Sequence, residues 1–346
     1  MSGISRREFC AGLGALALSG AGCRSTPDKV VAPDLVIGGD PPSELTYQIH
    51  GSGSSTVVEV RWAAAVDAQG RVDASRVQQM LQGAVERLTG KIGTGAWSQW
   101  ADATRRIAIK VNAITSQAFT HPELAGGVAK ALVGAGADPS RVTVWDRDTA
   151  GLRERGYAID STGKTLGYRC LGTDGLAEPT NPQAAVVGGA KVYLSPLLTE
   201  SDLLVNVAAL KDHSMAGVTL TLKNNLGMIS GAERLHGEYR LGSGCEPGIS
   251  DLAALPEIRG RLRLAVIDGL VGVCEGGPGP AEPEHVFRHA GLLVSLDPVA
   301  LDRRGLAIIE ARRAKLGLVP IAQRTDPNPS PPIHIDNAAK KGVSPA

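Results

Sequence analysis

The chain has 346 residues, 43% of them hydrophobic and 21% charged, enough for one large or two ordinary domains with a real core. Lys and Arg number 36 and Asp and Glu 35, which excludes a chain-wide electrostatic grip on nucleic acid. Aromatics at 3% leave little for bases or sugars to stack on. The five cysteines, Cys10, Cys23, Cys170, Cys245 and Cys274, form no C-x-x-C pair, which argues against a zinc ribbon or a self-contained iron–sulfur cluster.

The first predicted element is an address. Ser5-Arg6-Arg7-Glu8-Phe9 and the apolar run Ala11 to Leu18 have the form of a twin-arginine export signal, with an apolar part too short to span a bilayer. Residues 1–23 are therefore expected to be read by the twin-arginine translocation machinery, which places the mature chain in the periplasm or cell envelope. Loss of the segment removes two basic residues and one acidic residue and leaves the remainder neutral. Ser19-Gly20-Ala21 suits a signal peptidase. Gly20-Ala21-Gly22-Cys23 resembles a lipobox with Gly20 where leucine is usual, so Cys23 is a candidate for lipidation and the one expected membrane contact. In an oxidising compartment Cys170, Cys245 and Cys274 could include one disulfide, with no pairing specified.

Residues 24–45 are rich in Pro and Gly and read as a linker; residues 46–346 read as one α/β domain with its core over 106–305. Residues 56–62 alternate like a strand, and 73–88 carry Val77, Met80, Leu81, Ala84, Val85 and Leu88 at helical spacing. Residues 106–112 form a nearly continuous apolar strand. Thr120-His121-Pro122-Glu123 then opens a helix running to about Val133, with Thr120 and Glu123 as a capping box and His121 exposed in its first turn. The strand 141–146 completes a βαβ unit and implies a parallel sheet. Further strands are expected at 203–207, 263–268 and 292–296. Helices are expected over 218–226, ended by Gly227, and from Pro298 to about Leu316, capped by Asp297. The turn-rich stretches 151–200 and 228–258 read as lids or insertions over the sheet. The fold class expected is α/β, a mainly parallel sheet with flanking helices in Rossmann-like layers.

Ligands of open parallel sheets bind beyond the carboxyl ends of the strands. There the chain places Lys110 and Asn112, then Asp146, then Asn206 leading to Lys211 and His213, then Asp268, with Lys223 and Asn224 close in sequence to the third set. Lysines supply positive potential for an anion, and a histidine moves protons near neutral pH. Lys211, His213 and Lys110 are the candidate catalytic residues. Asn112, Asp146, Asn206, Lys223, Asn224 and Asp268 are the candidate ligand-binding residues. Each has a plainer alternative: a buried ion pair for Lys110, a hydrogen-bonded loop histidine for His213, and backbone-capping carboxylates for Asp146 and Asp268. A metal at His121 and His213 with Asp146 or Asp148 is a further alternative. No residue pattern names a cofactor, and the oligomeric state is left open.

Taken together, 107–112, 120–123, 142–146, the run from Ser201 through Lys211-Asp212-His213-Ser214 to Lys223-Asn224-Asn225-Leu226-Gly227, and 297–302 resemble the uncharacterised family DUF362 over roughly residues 55–340. The Lys-x-His…Lys-Asn-x-x-Gly run carries most of the likeness. The chain departs from the family at Ala208-Ala209, where Pro-Lys often stands, and at Asp212, where a threonine is usual. Some relatives carry iron–sulfur clusters on a cysteine-rich part that this chain lacks. The resemblance implies no settled reaction. It leaves an enzyme or ligand-binding protein beside a non-catalytic envelope partner of a redox complex.

Overall fold

The computed structural model describes residues 41–115, 117–176, 182–235, 245–325 and 331–344. The expected export signal, Cys23 and the linker as far as residue 40 lie outside the described residues.

Strands β1 (Thr46–His50) and β2 (Val57–Arg61) pair as an antiparallel hairpin. Helix α1 (Ala74–Thr89) buries the expected stripe from Val77 to Val85. Asp73 caps it by accepting from Arg76 N–H, and left-handed Gly90 ends it. Strand β3 (Ile107–Lys110), helix α2 (Pro122–Gly134) and parallel β4 (Val142–Asp146) make the expected βαβ unit. Helix α3 (Thr149–Glu154) leads to β5 (Arg169–Gly172), parallel to β4. The stretch expected as an insertion supplies β6 (Ala184–Val187), β7 (Ala190–Leu194) and the short helix α4 (Pro196–Thr199). Next come β8 (Leu203–His213), β9 (Gly217–Val218), α5 (Leu220–Asn224) and β10 (Ile229–Ser230). Helices α6 (Gly248–Ala254) and α7 (Pro256–Arg259) precede β11 (Leu262–Val273), β12 (Val286–Phe287), β13 (Gly291–Ser295), α8 (Pro298–Lys315) and α9 (His334–Lys340).

The main sheet runs β1-β2-β13-β11-β8-β3-β4-β5. From β11 to β5 its neighbours are parallel; β13, β2 and β1 continue it antiparallel. The sheet is therefore mixed, with the expected parallel core from β11 to β5 and an antiparallel edge from β13 to β1 that the sequence did not predict. The reason is the connection after β11. Between β11 and β13 lie turns, a one-turn 3₁₀ helix and β12 but no crossover helix, and such a link returns the chain only as an antiparallel neighbour. Strands β10, β7 and β6 form a separate antiparallel sheet.

The alternation of β8 shows how the two cores are divided. Leu203, Val205 and Val207 pack with α1 and α2, while Leu204, Ala208 and Leu210 pack with α5, α6, α8 and α9. Both faces are covered, which is why these strands are apolar throughout.

Three local expectations change. Strand β8 continues past Val207 through Lys211, Asp212 and His213, every residue of it buried. The helix expected at 218–226 is instead β9, the short α5 and a 3₁₀ turn at Asn225–Met228. The capping box at α2 is not formed. His121 stands at the N-cap, and the Thr120 hydroxyl turns away to donate to Val207 O at 2.7 Å. Cys170, Cys245 and Cys274 are buried free thiols. Among the described residues no helix is long and apolar enough to cross a membrane.

Candidate functional site

Lys110 ends β3 and Asp146 ends the parallel strand beside it, so the two side chains meet at the sheet's carboxyl edge. Lys110 Nζ donates to Asp146 Oδ1 at 2.7 Å, to Val111 O at 2.6 Å and, longer, to Asn224 Oδ1 at 3.5 Å. Asp146 also accepts from the backbone N–H of Ala113 and Arg147. Burial pulls the Lys110 ammonium down, and the Asp146 carboxylate opposes that pull. Gly227 closes over the pair. A Cβ there would lie 2.6 Å from Lys110 Nζ, which is a physical reason for the glycine of the Lys-Asn-x-x-Gly run.

From this pair a directional chain of hydrogen bonds crosses the site. Lys211 Nζ donates to Asn112 Oδ1 at 2.8 Å, and Asn112 Nδ2 donates to Asn224 Oδ1 at 3.2 Å. Asn224 Nδ2 donates to Asn206 Oδ1 at 2.8 Å, and Asn206 Nδ2 to Asn225 Oδ1 at 2.9 Å. Each amide receives on oxygen and gives on nitrogen, so the ammonium of Lys211 orients the whole row. Lys211 spends its other two N–H on Thr115 Oγ1 and Ala118 O, 3.0 and 3.1 Å away. All three acceptors are neutral. Burial, and then the charge of Lys223, push Lys211 down to about 7. Burial holds Lys223 at about 8, within electrostatic reach of Cys245.

Short helix α5 delivers Lys223, Asn224 and the start of the following turn, and α8 grips it. Asp302 accepts from Thr221 N–H at 2.8 Å, Leu222 N–H at 2.9 Å and the Thr221 hydroxyl. Leu220, just before, sits at φ +46°, a strained left-handed position for a branched side chain. Asp302 thus holds in place a turn that local preference alone disfavours.

Asp268 points to the other face of the sheet. Its Oδ2 accepts from His121 N–H at 2.8 Å and binds His121 Nδ1 at 2.9 Å; its Oδ1 accepts from Leu270 N–H. With a carboxylate as partner, Nδ1 carries the proton and Nε2 is the reactive position. Burial lowers the ring's affinity for a second proton, but the Asp268 charge outweighs it and raises His121 above its ordinary value. Among the described residues Nε2 makes no hydrogen bond, and the side chain keeps 8% of its surface exposed. The sequence predicts an exposed His121; the structure instead buries it against Phe119, at the N-cap. The connection from β3 to α2 joins the two groups: its residues 112, 115 and 118 hold Lys211, and its last residue is the histidine.

Of the residues expected at the rim, Lys110, Asn112, Asp146, Asn206, Lys211 and Asn224 enter one network. Lys223 lies next to it electrostatically. Asp268 forms a pair of its own with His121. His213 Nδ1 accepts from Met215 N–H and Ala216 N–H, 3.0 and 3.2 Å away, so its neutral ring carries the proton at Nε2. Asp212 acts on Lys211 only through space and makes no hydrogen bond to the network among the described residues. Its carboxylate faces Arg324 at 3.0 Å and Gly277 N–H at 2.7 Å. The residues suggested for a metal are engaged separately: Asp146 with Lys110, Asp148 as the cap of α3, His121 with Asp268. Among the described residues no group of three or more His, Cys, Asp or Glu could hold a metal ion.

Thr115, Asn225, Asp302 and the pairing of His121 with Asp268 were not legible as site features. Asn225 and His121 had a sequence signal in the runs they belong to. Thr115 and Asp302 had none that pointed to this network. A profile described as "Domain of unknown function (DUF362)" matches residues 107–307, more than half of the chain. No curated protein matches it.

Proposed function

The chain belongs to the DUF362 family, and from that premise we propose that it binds a small anionic or polar ligand at the carboxyl-end rim of its parallel strands and moves a proton there. His121 carries the proton. Asp268 orients its ring and favours the imidazolium, so Nε2 donates to a ligand oxygen and takes the proton back afterwards. Lys211 supplies the positive charge. Lys110 has all three N–H groups engaged and acts by fixing Asp146 and Asn224. One observation carries the reading: a single buried carboxylate holds both the backbone N–H and the Nδ1 of His121 and leaves Nε2 for a reactant.

The test pairs His121→Gln with Lys211→Met against a panel of small carboxylates and phosphate esters. His121→Gln should keep ligand-induced melting shifts while turnover falls by about 100-fold or more. Lys211→Met should lose the shifts. Wild-type shifts and turnover in both variants would sink the idea. A non-catalytic partner of an envelope redox complex is the second reading. It draws on the fact that Lys110 and Lys211 each spend three N–H groups on protein acceptors, as structural lysines do.

Export by the twin-arginine route, with or without a lipid on Cys23, belongs to the same proposal and rests on residues 5–23. Mass spectrometry of the envelope-fractionated protein should find an N-terminus at or near residue 22 or 23. An intact Met1 in every fraction would overturn this.

A further inference from the structure

Outside the family-matched stretch, β1 and β2 line a cavity of about 220 Å³ together with Pro42. Thr46 and Gln48 come from β1, Glu59 and Arg61 from β2. Glu59 is only 2% exposed, and what it shows is turned to this space. Its Oε2 is taken by His50 Nε2 at 3.1 Å and by Arg304 from α8 at 2.6 and 2.7 Å. Its Oε1 accepts no hydrogen bond among the described residues. The nearest donor, His289 Nε2, is 3.3 Å away but too poorly aligned, and is itself a buried nitrogen without a hydrogen-bond partner. Arg61 lies against the same histidine: a Cβ on Gly291 would meet His289 Nε2 at 2.9 Å and Arg61 Cγ at 3.0 Å. Arg61 donates from Nε to His289 O, and its two terminal nitrogens make no hydrogen bond among the described residues.

The charges select an anion. Glu59 is balanced by Arg304, which leaves Arg61 in excess, and burial keeps His289 neutral. The open Oε1 selects a donor on the same ligand. Glu59 and Arg61 are two apart on one strand face, roughly 7 Å along the strand. A short molecule with an acid group at one end and a hydroxyl beside it can engage two side chains so placed. The volume lies below the roughly 300–1,000 Å³ of drug-sized pockets, so the ligand is small. We propose that this cavity is a second binding site, for a small hydroxycarboxylate, with the Arg61 terminal N–H groups clamping the carboxylate and Glu59 Oε1 accepting from the hydroxyl.

Calorimetric titration of the full chain with lactate and with propionate tests this, since the two differ by the hydroxyl alone. Lactate should bind saturably, and at least about tenfold more tightly than propionate. Arg61→Met should abolish lactate binding without lowering the melting temperature of the unliganded protein by more than a few degrees. Lys211→Met, at the other site, should bind lactate as wild type does. Absence of saturable binding at millimolar lactate would overturn the proposal. So would equal affinity for propionate, unchanged binding in Arg61→Met, or loss of binding in Lys211→Met.

Discussion

Lys211 carries its charge in the interior with three neutral oxygens and no carboxylate on its ammonium. Such a lysine is held weakly in its charged form, and an arriving anion would raise its proton affinity. His121 is the opposite case, a buried imidazole whose affinity for a proton is raised chiefly by the Asp268 carboxylate. Removing that charge reverses the balance, because burial is then opposed only by the weaker pull of Glu123. Asp268→Asn should therefore drop the His121 ring below the ordinary histidine value, read from its ring resonances in a pH titration by NMR. A ring that still titrates above that value in the variant would show that Asp268 does not govern it. The two lysines and the histidine were visible as residue types. Their partners were not, since Asp268 lies 147 positions from His121 and Asn112 lies 99 from Lys211.

At the scale of elements, the decisive feature is that short α5 is positioned from outside. An isolated helix of one turn does not persist in water, and this one opens on a left-handed leucine. Asp302, on α8, provides acceptors for the N–H groups of Thr221 and Leu222 in its first turn. Asp302→Ala should cost about 2–4 kcal/mol in urea denaturation, as loss of a buried multiply bonded carboxylate does. It should also lose ligand-induced melting shifts, because Asn224 and Asn225 leave their register. A variant with wild-type stability would refute the role. Helices α1 and α8 were legible because their caps, Asp73 and Asp297, are local, and α1 adds its apolar stripe. The apolar run around α5 predicts a longer helix than forms, and that of β8 a shorter strand. A strand buried on both faces has no polar alternation to mark its end, and its last residues, Lys211-Asp212-His213, look like a loop.

For the whole molecule, the buried lysines make stability depend on pH in a definite direction. The folded values of Lys211 and Lys223, about 7 and about 8, lie below the unfolded 10.5, so the unfolded chain binds more protons above pH 7. Stability from these groups therefore rises as pH increases through their folded values towards 10.5. Each unit is worth about 1.4 kcal/mol per group, so Lys211 adds about 2–3 kcal/mol between pH 7 and pH 9. His121 acts with the opposite sign, its contribution being lost as pH rises through its raised folded value. The difference between wild type and Lys211→Met isolates the lysine. Denaturation curves at pH 7 and pH 9 should show the variant's advantage shrinking by that amount. An unchanged difference would mean that Lys211 is not a buried cation near neutral pH. On the acid side, burial opposes ionisation of Glu59, but contact with His289 and Arg304 outweighs it and holds the carboxyl at about 2. Its contribution is present above the unfolded value of 4.5 and is lost as pH falls towards 2.

By itself the sequence determined the α/β class, the βαβ unit of β3, α2 and β4, the long helices with their caps, and the rim on which lysine and asparagine gather. Those are encoded by periodicity, caps and apolar runs, all short-range signals. Only the tertiary structure decided the mixed sheet, the length of β8, the row of asparagines ordered by Lys211, and the pairing of His121 with Asp268. Each depends on which strand ends lie side by side. That adjacency is fixed by burial of two opposite sheet faces and by the connections between strands, and no local pattern of residues records it.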